Sequence, residues 1–332
     1  MAKFAYDVAC IGNAIVDILC HADDATIERL NLNRNIMTLI DAARAEEIYS
    51  KMGPAVEVSG GSAGNTAAGV AALGGKAAYI GKVHDDQLGK VFTHDMRAQG
   101  VTFDTVPLTD GPATARCMIF VTPDAHRTMN TYLGACAELG PEDIDAAVIG
   151  QSQVVYFEGY LWDPPRAKDA MRKAAKIVHA AGGRMAITLS DPFCVSRHRD
   201  EFLAMLGKEV DILFANEEEI TSLYQTDFET AVKRVGKDVQ VAALTRSEKG
   251  SMAVRGDEVV RVNAEPVKAV IDTTGAGDLY ASGFLYGLTQ NLPLDVCCKL
   301  GSICAAEIIS HMGARPEADL AALAAPALKS VR

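Results

Sequence analysis

An aspartate at the start of a helix, directly behind two glycines, is a place where a hydroxyl can lose its proton beside an anion. The sequence holds such a place at Asp272-Thr273-Thr274-Gly275-Ala276-Gly277-Asp278. Gly275 and Gly277 allow successive N–H groups to point at one spot. The dipole of the helix expected over Leu279 to Leu288 adds partial positive charge there. Such an anion hole suits the charge that builds on a transferring phosphoryl group. Asp278, on the first helical turn, would accept the proton of an attacking hydroxyl. The plainer reading of the same residues is a helix N-cap with turn glycines, and on this segment alone both readings stand.

Other segments carry related chemistry. Gly60-Gly61-Ser62-Ala63-Gly64-Asn65 precedes a small-residue helix, Thr66 to Leu73. Its glycines permit close backbone approach to a ligand, and Asn65 offers both a donor and an acceptor. No Gly-Lys-Ser/Thr follows, and the spacing is not G-x-G-x-x-G, so neither a Walker A loop nor a dinucleotide fingerprint is present. Asn216-Glu217-Glu218-Glu219 joins an amide to clustered carboxylates. That set suits Mg²⁺ held through waters, or else an acidic first turn favoured by the helix dipole. Asn13 and Asp17 lie after the first strand, where a carboxylate could grip vicinal hydroxyls or a turn could be capped.

The elements that must position these residues alternate along the chain. Val8–Ile11, Ala77–Ile80, Val154–Phe157, Met185–Leu189, Ile212–Ala215 and Val241–Leu244 read as buried strands. Val267 to Ile271 is also β-like. Amphipathic stretches separate several of them, such as Arg166 to Ala181, which ends at Gly182-Gly183. The alternation predicts an α/β fold, a mostly parallel sheet flanked by helices. Residues 14–41 and 112–133 break the rhythm with period-two apolar patterns, including a hairpin arm at Met118–Val121 and Pro123-Asp124-Ala125-His126. They are expected to form a small β lid, leaving 1–13, 42–111 and 134–332 as the large domain. A second hairpin is expected at Ser251–Val262, turning at Gly256-Asp257, and a final helix after Pro316. Polar residues follow several strands directly: Gly12-Asn13, Ser190-Asp191, Asn216 and Thr245. In open α/β sheets ligands bind beyond the carboxyl ends of strands, so these clusters suggest one shared site.

Composition narrows the partners. The 332 residues are 49% apolar, enough to bury a sizeable core. A formal net charge of −11 repels nucleic acid and anionic lipid, but not a small anion held by local N–H groups. The eight cysteines form no C-x-x-C pair and read as reduced core thiols. The N-terminal apolar stretch is too short for a signal peptide and no run reaches membrane-spanning length, so a cytoplasmic protein is expected.

In this order and spacing the segments resemble the PfkB (ribokinase-like) family of carbohydrate and nucleoside kinases, over nearly the whole chain. Gly60 to Asn65, continuing to Gly81-Lys82-Val83-His84-Asp85-Asp86-Gln87-Leu88-Gly89, is similar to the family's first signature. Asp272 to Asp278 is similar to its second, the more specific one, and Asn216-x-x-Glu219 to its N-x-x-E motif. Gly313-Ala314 fits its late Gly-Ala turn near the nucleotide. The resemblance implies that Asp278 is the general base and that Gly275, Ala276 and Gly277 form the anion hole. It implies that Glu219 orients Mg²⁺ through water, with Asn216 near the phosphates of ATP. Asn13, Asp17, Gly60, Gly61 and Asn65 would grip the acceptor's hydroxyls, and Thr245, Ser247, Gly250, Gly313 and Ala314 would border the nucleotide. Asp272 and Thr274 fall where many members bind a monovalent cation, usually K⁺. One departure stands out: the family's nucleotide loop commonly reads T-x-G-x-x-G, and here Ser247 occupies the middle glycine.

Within the family the chain resembles adenosine kinases and related ribonucleoside kinases. Gly12–Asp17 resembles their opening motif, and Met37–Asp41 their lid-return segment. Thr131 to Ala137 is small and apolar where many sugar kinases put a charged contact, and Gly159–Trp162 falls where a purine could be covered. Leu133, Ala135 and Leu161 would then line the base pocket, since a base buries a flat apolar face. The resemblance therefore implies phosphorylation of the adenosine 5′-hydroxyl. The alternatives are a ribose, fructose or ketogluconate kinase of the same family, and a non-catalytic nucleoside sensor. The protein would act as a monomer or as a lid-mediated homodimer.

Overall fold

Six of the apolar runs become strands because each can be buried on both faces. The computed structural model describes residues 4–124 and 126–329. Its main sheet has nine strands in the order Glu258–Val262, Ser251–Arg255, Val241–Thr245, Ile212–Asn216, Arg184–Thr188, Ser152–Glu158, Tyr6–Ile11, Ala77–Ile80 and Thr102–Phe103. All pairings are parallel except those of the Ser251–Val262 hairpin. Alternate residues feed two cores. Ala9, Ile11, Val155 and Phe157 face one, and Val8, Cys10, Val154 and Tyr156 face the other. The first core is closed by helices that include Pro165–Ala180 and Pro192–Met205, the second by Ser62–Ala72, Ala276–Thr289 and Leu294–Ile308.

Two features of this layer set up a site. The strand order reverses at Tyr6–Ile11, whose neighbours are Ser152–Glu158 on one side and Ala77–Ile80 on the other. Ligands bind at such switch points, beyond the strand ends. The helices Ser62–Ala72 and Ala276–Thr289 also pack very closely, since a Cβ at Gly69 would come within 2.6 Å of the Ser282 Cβ. Small residues thus bring two helix starts side by side.

A second, five-stranded sheet runs in the order Met37–Leu39, Arg127–Tyr132, Ala115–Val121, Ile15–His21 and Val56–Ser59. It corrects the expected boundaries. Val56–Ser59 pairs antiparallel with Ile15–His21, and Ala45 and Ile48 of the Ala42–Tyr49 helix pack under the same sheet. Residues 42–59 thus go with the small sheet, not with the large domain. The mostly exposed Val56–Ser59 has too little apolar pattern to declare itself. Asp24–Arg29 is helical, capped by Asp23, although the region reads as β. Val267 to Ile271 forms no strand: Val270 and Ile271 are exposed, and the Ile271 N–H donates to the Ile309 carbonyl at a helix end. The strands Ala115–Val121 and Arg127–Tyr132 form the expected hairpin, but Ala125 of its turn lies outside the described residues. The eight cysteines are buried and free, and among the described residues no helix is long and apolar enough to cross a membrane.

Candidate active site

Asp278 sits where the two helix starts meet. Gly275, in the left-handed region at φ 77°, caps the Ala276–Thr289 helix and puts Asp278 on its first turn. From the neighbouring helix, Ser62 Oγ donates to Asp278 Oδ1 at 2.6 Å and Asn65 Nδ2 to Oδ2 at 2.9 Å. Burial pushes the Asp278 carboxyl above the usual carboxylate range, and these two donors and Arg315 pull it back. Of the three N–H groups expected in the anion hole, that of Ala276 instead closes a turn on the Thr273 carbonyl at 3.2 Å. Gly275 and Gly277 remain as candidates.

The loop at Gly60-Gly61 is built on close approaches. Gly61 has φ 82°, and a Cβ there would strike the Asn13 carbonyl, while one at Gly60 would strike the Asp17 carboxylate. The glycines therefore let this loop lie directly on Asn13 and Asp17. Burial raises Asp17 to about 6, opposed by the charges of Arg315 and Arg127. Glu158 was missed by the sequence reading. It is buried at the end of its strand and accepts from Asn13 N (3.0 Å), Asn13 Nδ2 (2.6 Å) and Ala63 N (2.9 Å). Burial lifts it to about 7. The rule that singled out polar residues after strands applies to it, but the following Gly159–Trp162 drew the reading toward a base cover.

Next to Asp278 lies a cavity of about 830 Å³ beyond the strand ends. Asn216, Glu219, Thr245, Ser247, Gly250, Gly275, Ala276, Gly277 and Asp278 all line it. So do Ser62, from the Gly60–Asn65 segment, and Ser190, one of the polar residues expected at the strand ends. Ser190 is held in the left-handed region at φ 73° and accepts from Gly159 N at 2.8 Å. Asn216 and Glu219 form a capping box: Asn216 Oδ1 accepts from Glu219 N, and Asn216 N and Nδ2 donate back to the Glu219 carboxylate. Burial raises Glu219 to about 7. Glu217 is taken by Arg246 through two hydrogen bonds, at 3.0 and 3.1 Å. Ala314 packs on Gly275, and Gly313 N donates to Asp272 Oδ2 at 3.0 Å. A larger groove of about 1080 Å³ lies beyond residues 262–271 and contains none of the expected site residues.

Some expectations fail. Leu161 and Ala135 are fully buried, and Leu161 belongs to the core with Phe157 and Trp162. Trp162 is buried too, with Nε1 donating to Glu201 at 2.9 Å, so it covers no purine here. The Gly159–Trp162 turn faces inward because its apolar side completes the core beneath it. Leu133 is half-buried at the start of the Gly134–Glu138 turn. The residues expected to hold K⁺ do not fit it. Asp272 accepts from Thr274 N at 3.0 Å and from Gly313 N, and it is ion-paired with the buried guanidinium of Arg127 from the small sheet. A second cation at that carboxylate would meet a fixed positive charge. Glu219 fits a water-mediated Mg²⁺: it lines the cavity, and with one Asn216 hydrogen bond on each oxygen its carboxylate keeps lone pairs for a water. Among the described residues no cluster of three or more His, Cys, Asp or Glu could hold a metal directly.

A family model described as pfkB family carbohydrate kinase matches residues 35–320. The structure of a probable sugar kinase from Rhizobium etli is similar at a TM-score of 0.92 and 56% identity, covering 98% of this chain and 99% of that one. The adenosine kinase of Sinorhizobium meliloti is similar at 0.91 and 59% identity, covering 97% and 99%. A 5-dehydro-2-deoxygluconokinase of Clostridium perfringens is 25% identical over 264 residues, 76% of this chain and 78% of that one.

Proposed function

The chain belongs to the pfkB family of carbohydrate kinases, and on that premise we propose that it transfers the terminal phosphoryl group of ATP to the 5′-hydroxyl of adenosine, giving AMP and ADP. Membership makes it a phosphotransferase that acts on an alcohol group, with ATP as the donor. The observation that carries the reading is Asp278: a carboxylate gripped by Ser62 and Asn65 at the mouth of a glycine-bearing helix start, on the cavity lined by Asn216, Thr245 and Gly250.

In this reading the acceptor lies on the Asn13, Asp17 and Gly61 side, under the five-stranded sheet as a lid. Asp278 accepts the hydroxyl proton while phosphoryl transfer proceeds. General-base help is worth about 10²–10⁴-fold, and the remainder comes from alignment and charge stabilisation. The N–H groups of Gly275 and Gly277 and the helix dipole favour the charge gathering on the phosphoryl oxygens. Glu219 would hold Mg²⁺ through water, and that ion supplies neutralisation of phosphate charge.

The choice of adenosine rests on the 59% identity to the Sinorhizobium meliloti adenosine kinase. A second reading, a sugar kinase, is favoured by the names of the Rhizobium and Clostridium relatives and by the burial of Leu161 and Ala135 away from any base. Steady-state kinetics with adenosine, ribose, fructose and ketogluconate separates them. We expect the highest kcat/KM with adenosine. A higher value for a free sugar would overturn the nucleoside reading and leave the kinase assignment intact.

A further inference from the structure

Arg315 follows the Gly313-Ala314 turn and sends its side chain under the start of the Ser62–Ala72 helix. Its Nη1 donates to Asn65 Oδ1 at 2.8 Å and its Nη2 to Ser59 Oγ at 3.1 Å, with Met96 Sδ at 3.6 Å. Its Nε is sealed from solvent and has no partner among the described residues. An unpartnered guanidinium nitrogen in such a place is costly, so the contacts that remain must justify the placement.

The Asn65 contact has a directional consequence. A guanidinium has donors only, so the Asn65 side chain must turn its oxygen toward Arg315. The amide nitrogen then faces the other way, onto Asp278 Oδ2. With Arg315 absent, the ionised Asp278 alone would hold the amide this way round, and once protonated it could donate to the amide oxygen instead. We propose that Arg315 is a positioning residue for phosphoryl transfer, which locks the Asn65 amide with its NH₂ group on Asp278 and supplies the buried positive charge that Asp278 and Asp17 share. The proposal rests on the reading of Asp278 as general base.

The surroundings make that charge matter. The titratable groups whose charge states the Asp278 charge influences are Cys10 from the first strand, Asp17 from the small sheet, Tyr156, Glu158 and Tyr160 from the strand and turn at 152–162, and Glu219 from the far helix. All of them are neutral or negative. After the Ser62 and Asn65 hydrogen bonds, Arg315 adds a positive charge that also opposes the burial of the Asp278 carboxyl, and burial draws Arg315 itself down to about 10. A base works only when ionised, so losing Arg315 should raise the pH at which activity appears.

The test is the pH dependence of kcat and kcat/KM for Arg315→Met and Arg315→Lys beside wild type and Asp278→Asn. For Arg315→Met we expect the acid limb to move to higher pH, with the fractional loss of kcat/KM greatest on the acid side and shrinking above the shifted limb. Arg315→Lys keeps the charge but not the fork. Its acid limb should stay near wild type while kcat falls several-fold at every pH. An Arg315→Met acid limb superimposed on wild type overturns the proposal. If Arg315→Met does not fold, wild-type kcat in Arg315→Lys overturns it instead. Asp278→Asn separates the two levels: if it stays active, the general-base reading fails. If it is inactive while the Arg315 variants match wild type, only the role of Arg315 falls.

Discussion

Of the glycines at the two helix starts that meet at Asp278, Gly60, Gly61 and Gly275 answer a structural demand, whereas Gly277 does not. At Gly60-Gly61 the glycines are there because protein fills the space: Asp17 and the Asn13 carbonyl lie where side chains would be. At Gly277 a Cβ would meet nothing within 4 Å, and the residue faces the cavity. The first pair builds a floor by close packing. The second residue keeps a space open. A glycine thus meets a structural demand at Gly60-Gly61 and leaves open cavity at Gly277. Glycine substitution distinguishes them, because the first should cost stability and the second activity.

The sharpest way to break the arrangement is at the residue joining the two starts. Asp278→Asn keeps the shape and can still meet Ser62 and Asn65, so the fold should stay intact. The proton acceptor is lost, and kcat should drop by about 10²–10⁴-fold. Turnover assays alongside a thermal melt check this. Wild-type kcat would remove Asp278 from the chemistry.

Next come the glycines themselves. Gly277→Ala places a methyl in the cavity on a helical turn, where alanine is the better helix former by up to about 1 kcal/mol. Stability should hold or rise slightly, while displacement of the phosphoryl group costs on the order of 10²-fold in kcat. Gly61→Ala must adopt φ 82° and push on the Asn13 carbonyl. Strain of this kind costs about 1–3 kcal/mol before the clash is counted, so the denaturation midpoint should fall clearly. If Gly61→Ala were as stable as wild type, or Gly277→Ala as active, the contrast between the two starts would dissolve.

What could be read in advance follows from the same distinction. The runs Val8–Ile11 and Val154–Phe157 were legible because burial on both faces leaves an unbroken apolar signature. Asp272 to Asp278 was legible because its glycines and carboxylate are packed into seven consecutive residues. Val56–Ser59 was not, since a mostly exposed strand carries little pattern, and its place is set by pairing with Ile15–His21. Leu161 and Trp162 were misplaced because an apolar turn after a strand does not say whether it turns toward a cavity or into the core. Arg127 on Asp272 and Arg315 on Asn65 were out of reach, since both join residues far apart in the chain by contacts that only the packed fold creates.

The smallest effect is expected at Ser247, where the departure from the family's glycine now has a geometry. Ser247 sits at φ 51°, the left-handed region, in the turn between Thr245 and Gly250, and it lines the cavity. A side chain there costs about 1–2 kcal/mol relative to a relaxed backbone. Glycine removes that strain but loses more entropy on folding, about 0.5–1 kcal/mol. The two terms nearly cancel, so Ser247→Gly should shift stability by less than about 1 kcal/mol. The informative reading is then the nucleotide. If the Ser247 side chain crowds the phosphates or the base, its removal should lower the KM for ATP, by less than about tenfold, and leave the KM for the acceptor unchanged. A fall in both constants would place the effect in closure of the whole site. No change in either would mean that the hydroxymethyl group points past the donor, and that the loop accepts serine at the cost of backbone strain alone.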